Sequence, residues 1–119
     1  MSVEMGDLPS DIIARLDASL VARGQDVTLR RYTAPSGTPR PKTDAGVRAF
    51  VRPLKAEELV GRLDHTFSKV IFSPTDSSVL LPMKKDDKVI IDDRERNVEF
   101  PKHVRYRGVL VKIELLVAG

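Results

Sequence analysis

The sequence predicts a mainly β fold, a small antiparallel β barrel or sandwich of about six strands with one N-terminal α-helix, and three observations carry that prediction. Val109, Val111, Ile113, Leu115 and Val117 alternate along one run, which puts five aliphatic side chains on one face of a strand because successive strand residues point to opposite faces. Further short alternating runs are separated by clusters of Gly, Pro, Asp and Ser, the punctuation of an antiparallel all-β chain. Helical periodicity is strong only near the start, so the crossover helices that a parallel sheet requires are missing. At 119 residues the chain is one domain with one core.

The first element is a helix over about 8–22. Leu8, Ile12, Leu16 and Leu20 recur every fourth residue and Ile13 and Val21 widen the stripe, so one face is apolar while Asp11, Arg15, Asp17 and Arg23 make the other polar. Asp7 or Ser10 is expected to cap its start, with Pro9 in the first turn, and Gly24 to supply a left-handed ending. A strand over 27–32 follows, with Val27, Leu29 and Arg31 on one face. Residues 33–46 hold three prolines and two glycines and no large apolar side chain, so burial cannot offset their ordering entropy; the expectation is a long flexible loop, either functional or a tolerated insertion. The remaining strands are expected at 47–53, 66–72, 88–92, 97–100 and 104–117. The last of these also carries Leu110 and Leu116 on its second face, giving it apolar contacts on both sides.

Composition excludes more than it assigns. A hydrophobic fraction of 41% and a charged fraction of 31% are those of a folded globular chain. The chain has no cysteine, which removes disulfides, thiolate nucleophiles and Cys-ligated zinc together. The start reads as neither a signal peptide nor a membrane span, and no membrane association is expected. His65 and His103 fall in expected loops without metal-ligand spacing, and the pairs Glu57/Glu58, Asp86/Asp87 and Asp92/Asp93 read as charged turns, since neighbouring side chains diverge. No glycine-rich phosphate loop and no nucleophile elbow is present. The expectation is therefore a protein that is not an enzyme, with no catalytic residue, cofactor or metal.

The net charge of +3 is mildly basic, and Arg30, Arg31, Arg40, Lys42, Arg48 and Arg52 concentrate it in the first half. Phe50 stands between Arg48 and Arg52 on one expected strand face, where an aromatic and two cations can stack a base and touch phosphate, making Arg48, Phe50 and Arg52 candidate polyanion contacts. The same ring can instead pack under the helix or against another subunit. A small basic β-barrel module that binds nucleic acid is one functional class this permits.

The order of elements also resembles the small head completion proteins (head-tail joining, stopper or head closure proteins) of tailed siphovirus-like phages and their relatives in prophages and gene transfer particles. The resemblance is carried by the helix over 11–22, the strand over 27–32, the long polar loop, residues 47–51, and above all residues 85–98 and 108–117. In the family, a turn with acidic residues precedes a strand, a charged hairpin follows and a last strand closes the domain. Here Asp86, Asp87 and Lys88 stand where a glycine-aspartate turn is expected, and the hairpin over 92–96 lacks its glycine. The resemblance implies a structural protein of the virion neck, assembled in the host cytoplasm. Its subunits would form a homo-oligomeric ring with the portal or adaptor above and a tail terminator or tail protein below. Such a ring retains packaged DNA through transient, sequence-independent contact with the duplex and docks the tail. On that reading Arg40 and Lys42 face the channel or a neighbouring subunit, and Leu54, Leu59, Val60 and Leu63 form a second docking segment.

Overall fold

The computed structural model describes residues 8–54 and 67–118. Helix α1 (Pro9–Arg23) precedes six strands, β1 (Gln25–Tyr32), β2 (Lys42–Pro53), β3 (Phe67–Phe72), β4 (Lys88–Ile91), β5 (Arg94–Tyr106) and β6 (Val109–Ala118), with one 3-10 turn at Ser78–Leu80. All pairings are antiparallel, and the strands close into a barrel in the order β1-β2-β3-β6-β5-β4. The chain thus lays down two three-stranded meanders. The first ends on β3, the second begins on β4 beside β1, and the β3–β6 pairing seals the wall.

The expected mainly β architecture with one N-terminal helix is the one observed, and closure makes it a barrel rather than a sandwich. Alternation explains the core: Val27, Leu29, Val47, Ala49, Val70, Phe72, Val89, Val98, Ile113, Leu115 and Val117 all point inward and are buried. Small Ala45 and Ala49 share this interior with Phe72, the mixing of sizes by which a narrow barrel fills itself. The connection from β3 to β4 delivers Leu80 and Met83 into the same core.

Several element boundaries differ from the expected ones for identifiable reasons. Residues 42–46 are not loop: β2 begins at Lys42 and pairs with β1 from Tyr32↔Lys42 to Gln25↔Ala49. Only small Thr43 and Ala45 mark that strand's inner face, so burial contributed no pattern to read. The final strand does not run unbroken from 104. The chain reverses at Arg107–Gly108, both at positive φ (52° and 78°), and Tyr106 pairs with Val109. The segments expected at 97–100 and 104–106 are parts of one strand, β5, bent by irregularities at Val98/Phe100 and Val104/Arg105. The glycine-free β4–β5 hairpin turns on Asp92 and Asp93, at φ 51° and 65°, the left-handed conformations that a two-residue type I′ turn demands and Asp tolerates.

The ends of α1 also differ. Leu8 is the N-cap residue, and the Asp11 side chain accepts its backbone N–H at 3.0 Å. Gly24 is extended (φ −81°) rather than left-handed; glycine is required because a Cβ there would lie 2.6 Å from the Leu20 carbonyl oxygen and 3.0 Å from that of Ala49. Leu20 is the buried anchor of the helix, whereas Val21, expected to widen the apolar stripe, is 71% exposed. Asp17 binds the helix to the turn after β3, accepting hydrogen bonds from the hydroxyls of Ser73 and Thr75.

Candidate functional site

The outer face of the barrel is laced by cross-strand charge pairs. Arg30 and Asp44 lie opposite each other on β1 and β2, and the guanidinium grips the carboxylate bidentately at 2.8 and 3.1 Å. That hydrogen bonding holds the Asp44 carboxyl below its usual range and raises Arg30. Glu95 on β5 accepts from the Tyr32 hydroxyl at 2.5 Å and from Arg30 at 3.4 Å. Exposed pairs of this kind contribute about 0.2–1 kcal/mol each; their larger effect is to fix side-chain positions around Tyr32.

Beside this lattice the β1–β2 turn and the approach to β4 enclose a cleft of about 320 Å³. Its floor is Arg31, whose guanidinium pairs bidentately with Asp87 at 2.9 and 2.7 Å and also donates to the Leu80 and Pro82 carbonyls, both at 3.0 Å. Asp87 is only 5% exposed and accepts the Lys84 backbone N–H at 2.8 Å. This network ties the β3–β4 connection across the barrel. Arg40 roofs the cleft: its guanidinium lies 4.1 Å from the Tyr32 ring centroid and donates to the Ala34 carbonyl at 2.7 Å. Lys84 and Lys85 are exposed on the rim, and Lys88 on β4 donates to the Asn97 side-chain carbonyl at 2.6 Å.

The residues singled out from sequence fall in different places. Arg40 belongs to the cleft, packed on Tyr32 rather than carried on a free arm. Lys42 is the first residue of β2, 4.0 Å from the Asp44 carboxylate, and does not line the cleft. Arg48, Phe50 and Arg52 do share the outer face of β2, but Arg48 is consumed internally. It donates to the carbonyls of Leu20, Val21 and Gly24 at 3.2, 3.2 and 2.7 Å and contacts Asp26 at 3.3 Å, closing the C-terminus of α1. Phe50 is half-buried opposite Ile71, and Arg52 donates to the Pro53 carbonyl at 3.1 Å. Leu54 lines a shallow groove with Phe100 and Leu116, whereas Leu59, Val60, Leu63 and His65 lie outside the described residues. His103 is in β5, not a loop, and its Nε2 accepts the Met83 N–H at 3.0 Å. Sequence reading passed over Lys84, Lys85 and Lys88; the signal was their clustering just before a strand, which reads equally as a solvated turn.

The opposite end of β1 and β4 is acidic. A recess of about 410 Å³ there is bordered by Asp26, Asp76, Asp92 and Asp93, but among the described residues no three His, Asp or Glu converge on a metal-binding geometry. No protein-family model matches the chain, and comparison with curated proteins returns no match.

Proposed function

We propose that this chain is a structural protein of a phage-type virion neck. It would be a ring subunit between portal or adaptor and tail that helps retain packaged DNA and docks the tail. The resemblance in element order motivates the reading, and one structural observation supports it: the β5–β6 hairpin continues beyond the barrel wall. β4 pairs with β5 only through Asn97, and β3 pairs with β6 only from Ile113 onward. The stretch from Val104 to Lys112, whose two strands pair only with each other, is therefore a two-stranded arm, with α1 residues Ile12 and Leu16 beside Val104 and Val111. A closed barrel leaves no sheet edge within its wall for a neighbour to extend, so a subunit that must meet different surfaces on its two sides needs such a protruding element. The arm tip is suited to contact, with Arg107 5.2 Å from the Tyr106 ring centroid and Val109 left 45% exposed.

The test is genetic. Particles assembled without this chain are expected as heads that lose DNA and carry no tails, and complementation with a Val109→Glu variant is expected to fold normally yet restore few tailed particles. Normal yields of tailed, DNA-filled particles in the absence of the chain would contradict the reading.

A further inference from the structure

We propose that the cleft between the β1–β2 turn and residues 84–88 is a binding site for the phosphate backbone of double-stranded nucleic acid, read without regard to sequence. The inference rests on the DNA-contacting part of the neck reading and gives it a location. Charge balance within the cleft points to an anion. Arg31 and Asp87 neutralise each other, whereas Arg40, Lys84 and Lys85 have no carboxylate partner among the described residues, and Lys88 meets only a neutral amide. The one other carboxylate on the lining, Asp86, accepts from Asn97 at 3.2 Å. The cleft thus presents an excess of cations to solvent.

The donor chemistry narrows the ligand. A guanidinium fork grips one carboxylate or one phosphate bidentately, while ammonium groups act as separate point charges; here the Arg31 fork is filled and Arg40 is held by Ala34 and the Tyr32 ring. What remains is dominated by lysines, which suits a run of phosphates better than one acidic side chain. Single-stranded nucleic acid requires an aromatic face on which bases stack. Tyr32, the aromatic of this cleft, has a face covered by Arg40 and its hydroxyl engaged with Glu95. Contact is therefore with backbone rather than bases, as positioning contacts to a duplex are.

Titration of a mixed-sequence duplex with the free full-length chain tests this. With Arg40, Lys84 and Lys85 each displacing a counterion, tripling the salt is expected to weaken binding about 20-fold, against about 3-fold for the exposed double variant Lys84→Gln/Lys85→Gln. Arg40→Gln alone is expected to flatten the log–log salt slope by about 0.9, an independent check should the double variant misfold. Duplex binding unchanged in these variants, or tighter binding of a poly-glutamate peptide than of duplex, would overturn the proposal. Because the free chain is titrated, failure here leaves the ring reading to its own particle assay, and failure of that assay leaves this one standing.

Discussion

Arg31 and Arg48 count towards a basic first half in the sequence, yet each is spent on holding the fold together. Arg31 joins β1 to the β3–β4 connection through one carboxylate and two carbonyls. Replacing it with Met strands the buried Asp87 carboxylate, and a loss of about 2–3 kcal/mol is expected in urea unfolding, below the full figure for a buried pair because Arg31 keeps some solvent contact. His103 gives the same connection a pH dependence. Burial, and secondarily Arg105, lowers its pKa from 6.5, and only the neutral ring can accept the Met83 N–H. The unfolded chain therefore takes up this proton first as pH falls. The contribution to stability is complete above pH 6.5 and declines as pH drops through 6.5 toward the folded value. An NMR titration should place the His103 midpoint below that of a free histidine, and His103→Gln should remove this part of the acid-side loss. A midpoint above 6.5 would contradict the assignment.

At the level of elements, the glycine-free turn at Asp92–Asp93 holds two non-glycine residues at positive φ, a conformation that costs an L-residue about 1–2 kcal/mol. Asp92→Asn/Asp93→Gly supplies the preferred type I′ pair and is expected to raise stability by about 1 kcal/mol; destabilisation would show that these aspartates make a contact the turn needs. The opposite sign is expected at Gly24, where Ala would drive its Cβ against the Leu20 and Ala49 carbonyls. Strands with large inward residues, such as 27–32 and 113–117, were readable because burial writes a period of two. Residues 42–46 were not, since Thr43 and Ala45 carry little hydrophobic signal and pairing with β1 decides their conformation. Partners also escaped: nothing local to Arg48 announces three helix carbonyls from residues 20–24, and nothing local to Lys84 announces Arg40 across the cleft. These are meetings made by barrel closure.

For the whole molecule, the strands close into a barrel, and the proposed roles fall on what extends beyond its wall or borders it: the β5–β6 arm for assembly and the basic cleft at one end of β1 for anion binding. Core truncation such as Leu115→Ala should cost about 2–5 kcal/mol and disable every role together, whereas changes at Val109 or at Lys84 and Lys85 should leave melting unchanged and separate assembly from anion binding. On the proposed neck reading, the protein sits between head and tail of an assembled particle. Immunoelectron microscopy of tailed particles from the source cell, using antibody raised against this chain, tests it most directly: label confined to the vertex joining head and tail is the predicted result, and particles unlabelled at that vertex, with the chain recovered elsewhere in the lysate, would contradict it.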